Sequence, residues 1–203
     1  MCIRDSGGEV EQLSSATSEG VGLRVVRDGR VGFAWAGSLD PAIVAETLAD
    51  ARDNAAFSTP DEHAGLAGPD GVVAADLDLW RDDVAATATA EKIALAGEVE
   101  RRVLADPRIR SLRSAGYQDG RTEVAVATST GLAASRRSTS AYLSCFAMAG
   151  DGDGTTTGGG LSFGRSVADL DIDRVVGDAV TRSTRMQGAA KPASATVLSL
   201  IHI

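Results

Sequence analysis

A chain of 203 residues, 43% hydrophobic and 24% charged, is long enough for one or two domains with a real core and has an ordinary globular balance. Aromatic residues make up only 4%, so Ala, Val and Gly must do most of the filling. A net charge of −8 excludes an extended nucleic-acid surface, which needs clustered Lys and Arg; the basic pair Arg136-Arg137 is too small to reverse that, and no stretch reaches the apolar length of a membrane span.

The two ends are set aside before any fold reasoning. Residues 1–6 can be encoded by ATG TGT ATA AGA GAC AGY. The reverse complement, shifted by one base, translates to Leu198-Ser199-Leu200-Ile201-His202-Ile203. Both ends thus read as one short DNA element in opposite orientations, resembling the transposon end of a sequencing-library adapter. The expectation is that 1–6 and 198–203 are adapter artefacts and that the authentic chain, 7–197, is a fragment cut at both sides. Cysteine and histidine chemistry then reduces to Cys145 and His63. A lone cysteine forms no internal disulfide, which suits a reducing compartment.

In chain order, 21–27 and 30–36 alternate around Asp28-Gly29, a dipeptide that supplies the positive φ of a tight hairpin turn. A helix follows, with Asp40 as its N-cap and Pro41 at its first position, burying Ile43, Val44, Thr47, Leu48 and Ala51 and fading near Ala56. From 57 to 75 the composition turns to Pro, Gly, Asp and Ser, broken by Pro60 and Pro69, which reads as a linker or covering loop at a domain boundary. A second unit starts near Asp76-Leu77-Asp78-Leu79-Trp80. Its helix over 88–105 carries Leu95, Ala96, Val99 and Val103 on one face and Glu91, Glu98 and Arg101 on the other, and Asp106-Pro107 stops it.

Turn signals then divide 109–149 into an antiparallel meander: a strand over 109–117, a turn at Asp119-Gly120, a strand over 123–128, Gly131, and a long arm over 132–149. In that arm Tyr142, Phe146 and Met148 alternate with Ala141, Leu143, Cys145 and Ala147; with both faces apolar, cover is expected on both. A fourth strand is expected over 161–167. A last helix, capped by Asp171 or Asp173, runs through Val175, Val176, Ala179 and Met186 to Gly188, and a strand begins at 195–197. The elements define an α+β fold of antiparallel sheets with packed helices: an N-terminal hairpin–helix unit, then a central unit of helix and β-meander.

No residue set earns a catalytic or metal-binding assignment. Zinc needs three or four clustered His, Cys or carboxylate ligands, and one His and one Cys far apart do not supply them. His63 reads as an exposed loop residue, and Cys145, on an apolar alternation, as a small core residue rather than a nucleophile. Asp151-Gly-Asp-Gly lacks the later glycine and glutamate of a calcium loop, so it reads as a flexible loop. Gly158 to Gly160 lack the Lys-Ser/Thr of a phosphate loop. Asp76, Asp78, Asp82 and Asp83 read as a solvated acidic patch.

Order and wording together resemble the TldD/PmbA family. Gly-Val-Gly-Leu-Arg-Val at 20–25 with Asp-Gly-Arg-Val-Gly-Phe-Ala at 28–34 is similar to its N-terminal hairpin. Ala75-Asp76-Leu77-Asp78-Leu79-Trp80, Thr89-Ala90-Glu91-Lys92-Ile93-Ala94 and Ala105-Asp106-Pro107-Arg108-Ile109 are similar to its central domain. Tyr142-Leu143-Ser144-Cys145 and Ala149-Gly150-Asp151-Gly152-Asp153 resemble the PmbA-like branch. Two departures stand out: Thr128 replaces the family's Asn before Ser129-Thr130-Gly131, and 154–160 is Gly and Thr where relatives carry aromatics.

The resemblance covers nearly all of 20–197 and implies a partial N-terminal domain at 7–56, the linker at 57–75, a central domain at 76–190 and the start of a C-terminal domain at 191–197. It further implies a PmbA/TldE-like subunit that binds no zinc, in a cytoplasmic heterodimer engaged in proteolysis of unfolded peptides. In that assembly, the resemblance implies, the TldD-like partner carries the zinc on a His-Glu-x-x-x-His helix. Neither nucleic acid nor membrane is an expected partner. Two readings stay open beside it: a TldD-like catalytic zinc subunit cut before its metal motif, and a stand-alone peptide-binding scaffold.

Overall fold

The computed structural model describes residues 2–6, 8–73, 75–191 and 193–195, the first of these stretches in its backbone only. The elements in order are β1 (Cys2–Ser6), β2 (Glu9–Ser14), β3 (Val21–Arg27), β4 (Arg30–Ala36), α1 (Pro41–Phe57), α2 (Asp83–Ala86), α3 (Thr89–Leu104), β5 (Ile109–Ala127), β6 (Ala133–Ala149), β7 (Thr156–Gly164) and α4 (Ile172–Thr184). Antiparallel sheets and packed helices make this the expected α+β architecture. Contacts group the chain into two units, one of Ser14–Arg81 with Arg121–Thr139, the other of Asp82–Gly120 with the chain up to Leu13 and from Ser140 on. The described residues of 57–75 thus group with the hairpin that precedes them. They are held there by backbone bonds such as Asp61 N to Gly29 O at 2.8 Å.

In the first unit β3 and β4 pair from Val21↔Ala36 to Arg27↔Arg30, closed by Asp28 and Gly29 at φ +52° and +71°. That turn matches the strand twist only with positive φ at both central positions. Asp40 caps α1, its carboxylate accepting from Ala42 N at 2.9 Å and Ile43 N at 3.4 Å, with Pro41 at the first turn. The helix seats on the strand at Gly32, where a Cβ would stand 1.9 Å from Ala51 O. Because backbones meet there, the fully buried residues are the small ones, Thr47, Ala51 and Ala55. The stripe read from sequence is therefore corrected: Val44 and Leu48 are half-buried flanks, and Ile43 is exposed.

The second unit holds most of a five-stranded sheet in the order β2-β1-β5-β6-β7. Cys2 to Asp5 pair with Gln118 to Ala115, and β6 pairs with β7 from Ala141↔Gly164 to Ala149↔Thr156. Residues 2–6, set aside as adapter-derived, thus occupy a strand position; ladder hydrogen bonds use backbone groups that almost any sequence carries. Helices α3 and α4 supply Ala96, Val99, Val103, Val175 and Ala179 to a core completed by Ala115, Tyr117, Leu143, Cys145 and Ala147 from the sheet.

Three expectations change here. Asp119-Gly120 is no turn: β5 runs through it as one 19-residue strand, and Gly120 is absent from the positive-φ positions. The strand expected over 161–167 is instead Thr156–Gly164, so the glycines at 158–160 are strand residues. Gly158 and Gly160 face α4, where a Cβ would come within 2.1 Å of Ser183 N and 1.9 Å of Val175 O. Finally, among the described residues the apolar arm is covered on one face: Leu143, Cys145 and Ala147 are fully buried, whereas Phe146 is 52% and Tyr142 36% exposed.

Asp171 proves to be the cap of α4, accepting from Arg174 N at 2.9 Å; the helix stops at Thr184, short of Met186, which is exposed. The strand expected at 195–197 lies outside the described residues apart from Ala195. No helix among the described residues is long and apolar enough to cross a membrane.

Candidate functional site

The residues singled out from sequence separate. His63 stands exposed in the 57–75 stretch, its backbone N–H bonded to Asp61 Oδ1 at 2.8 Å and its imidazole 3.7 Å from Glu62. Cys145 is fully buried in the core, and burial, then the Glu100 charge, pushes its thiol up to about 12. Among the four aspartates of the acidic stretch, Asp76 and Asp78 belong to the first unit and Asp82 and Asp83 to the second. Asp78 pairs with Arg81 at 2.7 Å, and Asp83 accepts from Ser166 Oγ at 2.5 Å. Asp151 pairs with Arg110 beside a single 3-10 turn over Gly152–Gly154.

This donor set does not fit a zinc ion. A buried protonated thiol and a solvated imidazole cannot converge on one metal, and no group of three His, Cys, Asp or Glu side chains comes together among the described residues.

Sequence reading missed a buried ion pair. Lys92 and Asp119 side chains are 5% and 8% exposed and in direct contact. Lys92 Nζ also donates to Val84 O at 2.9 Å, and Tyr117 OH donates to Asp119 Oδ2 at 3.0 Å. Burial alone would raise the Asp119 carboxyl, but the hydrogen bonds it accepts, that of Lys92 foremost, hold it below the usual carboxylate value. Burial first, then the bond to Asp119, raises the Tyr117 phenol. The sequence did carry a signal: Lys92 falls four residues before Ala96 and seven before Val99, on the buried stripe of α3.

The open face of the sheet carries the cleft. Tyr142 on β6 stacks on Phe163 of β7, ring centroids 4.6 Å apart, and the Phe146 ring lies over Gly159, where a Cβ would come within 2.8 Å of it. Tyr142, Phe146 and Leu161 form an apolar wall along a cavity of about 610 Å³, a size suited to a small ligand or a peptide tail. Gln118 and Ser144 add polar groups to the floor, and Arg182 and Arg185 at the end of α4 form the rim. Arg182 is engaged, donating to Gly159 O at 3.0 Å and pairing with Asp178 at 3.1 Å. Such a surface can hold an extended apolar chain; the described residues lining it include no pair of nucleophile and base.

Two family profiles match the chain: PmbA/TldA metallopeptidase domain 1 over residues 6–56 and PmbA/TldA metallopeptidase central domain over 82–187. The chain belongs to the TldD/PmbA metallopeptidase family. Among curated proteins it is 29% identical over 180 residues to "Metalloprotease PmbA" of Escherichia coli O157:H7, a match covering 87% of this chain and 40% of that protein. Solved structures share the fold. A protein described as a candidate modulator of DNA gyrase from Bacteroides thetaiotaomicron superposes with a TM-score of 0.84 at 23% identity, over 94% of this chain and 44% of that one. TldE from Thermococcus kodakarensis superposes at 0.74 and 20% identity, over 89% of this chain and 40% of that one. The chain thus spans less than half the length of the relatives it matches.

Proposed function

We propose that this chain is part of a PmbA/TldE-like subunit that binds no zinc itself and works with a TldD-like, zinc-bearing partner in the cytoplasm to degrade unfolded peptides. The observation that carries this reading is the apolar face of β6 and β7, exposed among the described residues, with β7 at the edge of their sheet. An extended peptide can lay its side chains on such a face and pair its backbone with a strand edge, while the bond-breaking groups come from elsewhere. The relative named PmbA supports the choice of branch. In this division of labour the present residues bind and orient the chain and exclude water from it, and the partner supplies an activated water and oxyanion stabilisation.

Reconstitution tests it. The full-length protein, mixed with a TldD-like partner, is expected to permit cleavage of an unfolded polypeptide that neither protein cuts alone. Equal cleavage by the partner without this protein would overturn the proposal.

A further inference from the structure

We propose that the cleft on the open sheet face captures the C-terminal end of a peptide whose last side chain is apolar, with that side chain on Phe146 and Tyr142 and the terminal carboxylate on Arg185. The inference rests on the reading of this face as a peptide-binding surface and specifies which peptides it takes.

Charge selects the occupant. In a chain of net charge −8, the described residues lining this cleft include two arginines and no carboxylate. Arg182 is already satisfied by Asp178 and Gly159 O, whereas the Arg185 side chain has no ion pair among the described residues. Arg185 also follows the last residue of α4, where the helix presents carbonyl oxygens and a negative partial charge. An anion settles there only against a guanidinium, and a carboxylate matches the guanidinium fork in two parallel bonds. The apolar wall excludes a bare anion such as phosphate as the preferred ligand, because it would leave Phe146, Tyr142 and Leu161 in water.

The test uses the intact chain and a fluorescein-labelled peptide Gly-Ser-Gly-Ser-Ala-Phe, prepared as the free acid and as the C-terminal amide. The free acid is expected to bind roughly tenfold or more tightly than the amide, the usual worth of a hydrogen bond to a charged group. Arg185→Gln should abolish that preference without changing the amide's affinity, and Arg185→Lys should restore part of it. Phe146→Ala should weaken acid and amide alike. Equal binding of acid and amide overturns the inference and leaves the peptide-binding surface standing. Binding of neither peptide overturns both. Self-association of the chain that Phe146→Ser disperses would show the face to be taken by a second copy, and also overturns the inference.

Discussion

Lys92 is the residue on which the second unit's polar interior depends. It reaches Asp119 and Val84 O from the middle of an apolar helix face, where neither charge has access to water. Lys92→Met is expected to lower unfolding stability by roughly 3 kcal/mol, because it removes the opposite charge from a buried carboxylate. The double variant with Asp119→Leu should lose less than the sum of the two single changes, as denaturant melts would show.

The pH dependence follows from the same pair. The folded carboxyl of Asp119 is held below its unfolded value, so its contribution is present above about pH 4 and disappears as pH falls through the folded value. Asp106, drawn down to about 2 by its bonds to Arg108, has the same sign. Acid unfolding curves of Asp119→Asn should therefore be flatter below about pH 4 than those of the parent. Cys145 gives a prediction at the other end of the scale: with its thiol at about 12, a maleimide at pH 8 should label it only as fast as the unit opens.

At this scale Cys145 and His63 were readable, because each sits in a context with one plain solution. Lys92 was not read, since a lysine in a helix is ordinarily solvated; its position on the buried stripe carried the information.

Elements were legible where local chemistry and tertiary packing agree. Asp28-Gly29, Asp40 and Pro41 each act within a few residues, and β3, β4 and the start of α1 fall where they place them. Asp119-Gly120 offers the same dipeptide as Asp28-Gly29 but no turn, because the Asp119 carboxylate is bound by Lys92 and Tyr117 across the core and the strand continues. Likewise the glycines at 158–160 look like a loop until α4 is laid on them.

That close approach yields a pair of predictions, one on β7 and one on α4. Gly160→Ala places a methyl 1.9 Å from Val175 O and should destabilise the unit by about 3 kcal/mol through overpacking. Gly177→Ala, exposed on α4 with nothing within 4 Å of its Cβ position, should stabilise it by about 0.5–1 kcal/mol. Thermal melts of the two variants should move in opposite directions.

On the scale of the molecule, sequence periodicity could show that β6 is apolar on both faces, but not that only one would be covered. Cover depends on which elements come back onto the sheet, and α3 and α4 both return to the Leu143–Cys145–Ala147 side. The cleft was illegible for that reason: its wall, its glycine and its rim arginine lie on β6, β7 and α4, brought together only by the β6–β7 register. Family membership was legible from the order of short motifs, and the family profiles over 6–56 and 82–187 bear it out.

The proposed division of labour gives binding to this subunit and metal chemistry to its partner. Its most direct test is the zinc content of the full-length protein and of a TldD-like partner, each purified separately and analysed by atomic emission. The account predicts about one zinc per chain in the partner and none above background here. Stoichiometric zinc in this protein, together with cleavage of unfolded polypeptide by it alone, would contradict the account.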